Sequence, residues 1–392
     1  MENKWIRGAL PAVLIHISIG SVYAWSLFVK LISEHINKSQ SLVQFAFSLA
    51  IFFLGMSAAF GGKIVEKNIH KSSLLSCLCF CSGLLLTALA IHLKSLALIY
   101  LGYGCLMGIG LGTGYITPVK TLMLWFKENK GLATGISVCA FGFASSVASP
   151  LITFLTQHYN LFTTFILLSS IYFIPMMVAH LIIKKPNGWV EETNDSDFNL
   201  RSMWKDKRFL IIWTIIFINI TCGLALISTA SPIMVEHNVT SKTVALVVSI
   251  MGIFNGAGRL VFSTISDKLK ERISIYKIIL LMSVVVSLLT GYLSNTLTIC
   301  VSLVIISACY GAGFSCLPPL LSDIYDMKYI SRIHGLSLTA WAIAGLVGNQ
   351  ISSIVKNITG NYTCVYFIIG LLYSVALIIS NRLRTSANNE IN

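Results

Sequence analysis

The chain alternates between long apolar runs and short polar breaks. A helix that crosses the hydrocarbon core of a bilayer needs about 20 predominantly apolar residues. Twelve runs meet that length, roughly 8–31, 42–60, 74–92, 97–125, 131–156, 162–183, 209–235, 243–265, 277–294, 297–320, 335–355 and 362–381. They predict twelve membrane spans, numbered 1 to 12. The first run follows Lys4 and Arg7, as a signal peptide would. It is too long for the apolar region of one, and a second span follows at once, so it reads as an uncleaved span. The one long break is "KKPNGWVEETNDSDFNLRSMWKDKR", Lys184 to Arg208. It predicts an N-terminal six-helix bundle (1–183), a cytoplasmic linker (184–208) and a C-terminal six-helix bundle (209–392).

Composition agrees. The 392 residues are 55% hydrophobic and 11% charged, with a mean hydropathy of +0.80. Soluble domains are about a quarter charged, so a soluble core is excluded and an all-α polytopic membrane protein is expected. The net charge of +13 has a membrane explanation rather than a nucleic-acid one. Of the 28 Lys and Arg, 21 fall in alternate loops that would lie on one side. The other side holds Lys30, Lys38, Lys94, Lys242 and Lys356; Lys120 and Arg259 fall inside spans. Basic residues stay on the cytoplasmic side, which places both termini in the cytoplasm and suits a cell (inner) membrane. The 10 cysteines, including Cys77, Cys79 and Cys81, form no CxxC and no zinc spacing. They read as packing residues, so no metal and no cofactor is expected. Without clustered histidines, paired acids or a nucleophile motif, the chain does not read as an enzyme.

The two halves repeat. "GKIVEK" (Gly62–Lys67) and "STISDK" (Ser263–Lys268) both end in an acid followed by lysine. "GTGYITP" (Gly112–Pro118) recurs as "GAGFSCLP" (Gly311–Pro318), and the "GL" at Gly131 recurs at Gly335. Near-constant offsets in one direction mean a parallel repeat of six spans. Transporters built from such repeats bind substrate near the bilayer midplane, between the repeats.

Arg259 lies in "FNGAGRLVFSTISDK", inside span 8. The 15 acidic residues all lie in loops or at span ends, so none is placed to neutralise it. An arginine at mid-membrane costs about 2.5–3.5 kcal/mol on insertion scales. Gly252, Asn255, Gly256, Arg259, Ser263 and Ser266 follow at three- and four-residue steps, a small and polar stripe. Ile250, Phe254, Val261 and Ile265 take the opposite side. Arg259 therefore points inward, about 12 Å from the end marked by Asp267 at 1.5 Å per residue. A fork of donors with no fixed counter-ion suits an anionic substrate; a structural role, bonding backbone carbonyls, is the other reading.

Lys120, in "GYITPVKTLMLWF", divides between a site role and a side chain that snorkels to the nearby cytoplasmic end. His16, with Gly20 and Tyr23 on its face, reads first as a packing histidine and second as a protonation site. With no central carboxylate, a dedicated proton relay is disfavoured. Tyr23, Trp25, Tyr115, Tyr310, Phe314 and Trp341 read from composition alone mainly as packing aromatics. The glycine run from Gly102 to Gly114 permits close helix contact and is no phosphate loop.

These stretches resemble the major facilitator superfamily. Gly62, Glu66 and Lys67 resemble its loop 2–3 motif, with Ile69 and His70 where a glycine and a basic residue are expected. "GRLVFSTISDK", with Asp267 and Lys268, is similar to the corresponding loop of monocarboxylate-type facilitators. A narrower resemblance, to the oxalate/formate antiporter family, covers nearly the whole chain. It rests on "GSVYAWSLF", "GLGTGYITPVKTLMLWFKENKGLATG", "FNGAGRLVFSTISDK", "GAGFSCLPPLLSDIY" and "HGLSLTAWAIAGLVGN". The resemblance implies a major facilitator fold in two pseudo-symmetric bundles. It implies a substrate carboxylate on Arg259 and an aromatic cage from Tyr23, Trp25, Tyr115, Tyr310 and Phe314. The family's second cation, a lysine in span 11, falls on Trp341. Loss of that cation shifts the expectation from a dicarboxylate to a monocarboxylate such as formate, lactate or pyruvate. The expected protein is a monomeric carrier of small carboxylate anions in the lipid bilayer, working by alternating access and antiport, with no nucleic-acid partner. A dicarboxylate held between Lys120 and Arg259, and a non-transporting carboxylate sensor, are the alternatives.

Overall fold

The computed structural model describes residues 3–188 and 199–383. The middle of the expected linker, 189–198, and the last residues of the C-terminal segment lie outside the described residues. The described residues contain 12 helices long and apolar enough to span a membrane. They are span 1 (Trp5–Ala24), span 2 (Gln40–Lys67), span 3 (Ile69–His92) and span 4 (Leu96–Trp125). Span 5 (Lys130–His158), span 6 (Leu161–Ile182), span 7 (Lys207–Ile227) and span 8 (Lys242–Ser266) follow. Span 9 (Ile273–Leu293), span 10 (Thr296–Ile324), span 11 (Met327–Thr359) and span 12 (Thr363–Ser380) complete the set.

Polar residues at the breaks start the helices. A helix leaves its first N–H groups without partners, and a side-chain oxygen just before it can accept from one. Asn68 caps span 3, Asn160 span 6 and Asn295 span 10 by accepting from backbone N–H groups at 2.8–2.9 Å. Ser39 and Thr240 cap spans 2 and 8 in the same way.

The helices form two bundles with one packing plan. In the first bundle, span 2 packs on 4, span 3 on 6 and 4, and span 1 on 5, 6 and 4. In the second, span 8 packs on 10, span 9 on 12 and 10, and span 7 on 11, 12 and 10. Each pair in one half has its counterpart six spans later. The bundles meet chiefly where span 5 lies on span 8 and span 2 lies on span 11.

Both crossings depend on a glycine. A Cβ at Gly131 would lie 2.0 Å from the Ser263 carbonyl oxygen, and a Cβ at Gly335 would lie 2.0 Å from that of Ala58. Only a residue without a side chain lets these backbones touch, which explains why this glycine recurs in both halves.

Span 4 is π-helical over Tyr100–Met107, and three further spans depart from simple continuity. Span 1 tightens to a 3-10 turn over Gly20–Ala24 before helix Ser26–Ile36 continues it. Span 7, expected to 235, breaks at Ser228 and Thr229 and resumes as Ala230–Glu236. These breaks sit at equivalent places in the two halves, beside the cavity described below. Span 11 begins before the expected 335 and has a join at Leu338, between helices Ile330–Ser337 and Thr339–Thr359. Its early turns are sparsely apolar and are buried against span 2, so hydropathy alone misses them.

Gly335→Val should lower the melting temperature of the purified protein by several degrees, since overpacking a tight contact costs about 1–3 kcal/mol. Thermal unfolding in detergent, followed by tryptophan fluorescence, measures it.

Candidate functional site

Span 8 presents its polar stripe inward. Arg259 and Ser263 are both fully buried, whereas Phe254, Val261 and Ile265 on the opposite side are exposed. The stem of Arg259 runs between glycines: a Cβ at Gly142 would lie 3.2 Å from its Nε, and one at Gly311 would lie 3.0 Å from its Cγ.

The guanidinium lies at the seam between the bundles. Its Nε donates to Asn255 Oδ1 at 2.9 Å, and one terminal nitrogen donates to the Val138 carbonyl of span 5 at 3.4 Å. The other terminal nitrogen is buried and has no hydrogen-bond partner. Among the described residues no carboxylate pairs with Arg259. The planar group sits over Phe314 of span 10 and Phe141 of span 5, at 5.2 and 5.6 Å from the ring centres. Cation–π contact offsets part of its burial cost, but leaves the free N–H groups unanswered.

Around it stands an aromatic box drawn from both halves. The Trp341 ring lies 4.4 Å from Phe314, 5.6 Å from Tyr115 and 5.9 Å from Phe141. Tyr115 lies 5.5 Å from Phe141. The Tyr115 hydroxyl and the Trp341 indole nitrogen are also buried without partners. A buried donor without a partner costs about 1–3 kcal/mol, and here two of them stand beside a guanidinium that has a third.

Tyr23 and Tyr310 close this box at the end away from the basic loops. Their hydroxyls are 3.4 Å apart, one from each half. Beyond them lies a cavity of about 340 Å³, lined by residues of both bundles that include Asn255, Gln44, Ser145 and Ser307. Asn255 thus touches both the cavity and Arg259. Trp25 borders the cavity, but its indole N–H is used within its own half, on the Val43 carbonyl at 3.2 Å, and its ring packs on Tyr103 at 3.9 Å.

The end with the basic loops is shut by two related clamps. Glu66 ends span 2 and forms an ion pair with Arg332 Nε at 2.6 Å; it also accepts from the Arg332 backbone N–H at 3.1 Å. Gly62 lets this approach happen, since a Cβ there would lie 2.6 Å from Arg332 Cα. Asp267 follows span 8 and accepts from the backbone N–H groups of Gly131 and Leu132, both at 2.8 Å. The residue before span 5, Asn129, makes no side-chain cap. Asp267 of the other half therefore caps span 5, where a negative charge meets the positive end of the helix dipole. Arg272 holds Asp267 at 2.7 Å and Asp323 at 2.8 Å. Lys67 and Lys268 are exposed beside these clamps.

Lys120 belongs to this closed end. Its amine donates to the Lys328 carbonyl at 3.4 Å and lies in the field of Glu66, Arg332 and Asp326. Lys185, just past span 6, donates to the Glu66 backbone carbonyl at 3.4 Å. Burial and the neighbouring Lys120 amine hold the Lys185 amine down at about 8, against the pull of Glu66.

Of the sequence candidates, the structure gathers Arg259, Asn255, Tyr23, Tyr115, Tyr310, Phe314 and Trp341 at one place. It sets Trp25 at the cavity edge and Lys120 at the closed basic end. Three residues were missed. Phe141 lies in a run of small residues and carries no periodic signal. Val138 contributes only its backbone. His334, buried with its Nε2 unpartnered and its ring 6.0 Å from Tyr115, stood just outside the apolar run that marked span 11.

The model of the Major Facilitator Superfamily matches residues 12–349. The chain belongs to the major facilitator superfamily. This facilitator is 24% identical over 360 residues to the oxalate:formate antiporter of Oxalobacter formigenes, covering 90% of this chain and 85% of that one. It is 25% identical over 355 residues to an uncharacterized transporter, YhjX, of Escherichia coli K12, covering 88% and 86%. It is 23% identical to apicoplast pyruvate carrier 1 of Toxoplasma gondii, covering 85% and 81%. Among solved structures, the proton:xylose symporter XylE matches with a TM-score of 0.79 at 13% identity, covering 96% of this chain and 94% of that one. The fucose:proton symporter of E. coli matches with a TM-score of 0.74 at 13% identity, covering 97% and 99%. These two likenesses speak to the fold. The protein is a multi-pass membrane transporter of this fold.

Asp267→Asn keeps the side-chain shape but removes the charge that caps span 5. Hydrogen bonds to charged groups contribute about 1.5–3 kcal/mol, so the basic end should open more often. Maleimide labelling of Cys316, buried near that end, should become roughly tenfold faster or more in detergent, that energy being at least a factor of ten in population.

Proposed function

We propose that this facilitator carries small organic carboxylates, with monocarboxylates preferred, by alternating access. The observation that carries this reading is Arg259: a buried guanidinium between the two bundles, with an unpartnered terminal nitrogen and no carboxylate partner among the described residues. A carboxylate accepts from two parallel N–H groups of a guanidinium, and would supply the missing charge. The names of the relatives, an oxalate:formate antiporter and a pyruvate carrier, support the same substrate class.

Preference for one carboxylate follows from the far side of the box. A dicarboxylate needs a cation for each end. Trp341 offers an indole there instead, and Lys120, the alternative second cation, is engaged with the Lys328 carbonyl at the closed gate. A monocarboxylate leaves an apolar or neutral end against Phe314, Tyr115 and Trp341.

The clamps and the cavity describe one end state of the cycle. With both termini cytoplasmic, the closed basic end faces the cytoplasm of a cell membrane and the cavity faces outward. An anion enters past Tyr23 and Tyr310, neutralises Arg259 and lets the halves rock until the Glu66 and Asp267 clamps part. A site that holds a bare cation when empty favours exchange of one anion for another. The protein would act as a monomer, since both bundles and the whole site lie in one chain.

Arg259→Gln should abolish carboxylate counterflow in proteoliposomes, a loss of at least about a hundredfold for removal of a charged partner worth 3 kcal/mol or more. It should still insert and elute as a folded monomer. Wild-type counterflow with a panel of formate, lactate, pyruvate, oxalate and malonate sets the class. Preference for oxalate or malonate would point to two cations and to Lys120. Binding of a carboxylate without counterflow would point to a sensor.

A further inference from the structure

One buried group near Arg259 has no part in the reading above. His16, in span 1, is fully buried. Its Nδ1 lies 3.1 Å from the Ala12 carbonyl oxygen and 3.0 Å from Ser137 Oγ. A carbonyl oxygen can only accept and the Ser137 hydroxyl can donate or accept, so these contacts suit the neutral form with its ring proton on Nδ1. Nε2 then holds a lone pair, and it is buried with no hydrogen-bond partner.

The surroundings tie this lone pair to the anion site. His16 lies against Phe141 at 6.1 Å and Tyr115 at 5.3 Å. Phe141 is also one of the rings under Arg259, at 5.6 Å. The titratable or charged side chains facing His16 are Tyr115 on span 4, Arg259 on span 8 and His334 on span 11; Ser137 and Phe141 face it from span 5. No carboxylate acts on it among the described residues. No span holds a central carboxylate to relay a proton, but a buried imidazole is a base as well.

We propose that His16 is the proton site of this carrier: Nε2 takes up one proton as a carboxylate enters beside Arg259, and the two cross together. This rests on the carboxylate reading above. The proton comes from the solution on the open side, converts the imidazole to imidazolium through the Nε2 lone pair, and leaves from Nε2 on the other side as the anion departs. Charge explains the pairing. With the site empty, a proton on His16 would add a second positive charge beside Arg259. With the anion present, the added proton restores the charge of the empty site. The moving core then carries one positive charge both loaded and empty. Proton and anion therefore strengthen each other's binding by the same factor. Exchange of loaded sites remains possible, and net uptake becomes electroneutral.

The test uses the full chain in proteoliposomes with a pH-sensitive dye in the lumen and radiolabelled pyruvate outside, with Arg259→Gln vesicles as the blank. The wild type should move about one proton inward per pyruvate, as linked binding requires. In His16→Gln the proton-to-anion ratio of net uptake should fall to background, at whatever rate the anion still enters. A second measurement needs no variant: pyruvate added to wild-type protein in weakly buffered detergent should take up about one proton per protein by the same linkage. Net pyruvate uptake without proton entry into the vesicles, or pyruvate binding without proton uptake in detergent, overturns the proton site and leaves the carboxylate reading standing. An unchanged ratio in His16→Gln overturns the assignment to His16. No exchange with pyruvate or with any other carboxylate of the panel overturns the underlying reading, and this proposal with it.

Discussion

A positive charge buried between two helix bundles, with no carboxylate among the described residues to answer it, is the constraint on which the rest of this molecule depends. The chain surrounds Arg259 with partial partners: Asn255, the Val138 carbonyl and the faces of Phe141 and Phe314. Each lowers the cost of burial, and none cancels the charge. Glycines at 142 and 311 clear the space its stem needs. The result is a stable fold with a vacant electrostatic role at its centre.

Two carboxylates, Glu66 and Asp267, stand instead at the closed basic end. Glu66 and Asp267 occupy equivalent places in the two halves, and each reaches across to the other half. Both use the same physics, a charge laid on backbone N–H groups at the start of a helix. In the proposed cycle, binding between the bundles and closure at their ends are therefore separate tasks on separate charges. Such a separation lets a small ligand at the centre bias two arrangements of rigid bundles without rebuilding either one.

Much of the architecture was legible in the sequence. Twelve apolar runs of span length can satisfy their backbones in lipid only as helices. The repeated Gly131 and Gly335 read as related sites because both answer one steric demand, a backbone oxygen 2.0 Å from where a Cβ would be. Arg259 stood out because charge is rare in spans and its neighbours follow helical period. Trp25 and Lys120 were harder. Aromatic and cationic residues look the same in sequence whether they face a cavity, a neighbouring helix or a gate. Phe141 and His334 were missed for the same reason: a phenylalanine among small residues and a histidine at a span edge carry no periodic signal.

The sequence alone determined the class, the number of spans, the twofold repeat and the isolation of one cation, because these follow from composition and local periodicity. Only the tertiary structure decided what surrounds that cation. Phe141, Phe314, Tyr115 and Trp341 come from spans 5, 10, 4 and 11, and their meeting depends on how two bundles cross. It also decided that Lys120 serves the closed end while His16 lies on the same ring as Arg259. Contacts between residues hundreds of positions apart are set by helix packing, and local sequence does not carry that information.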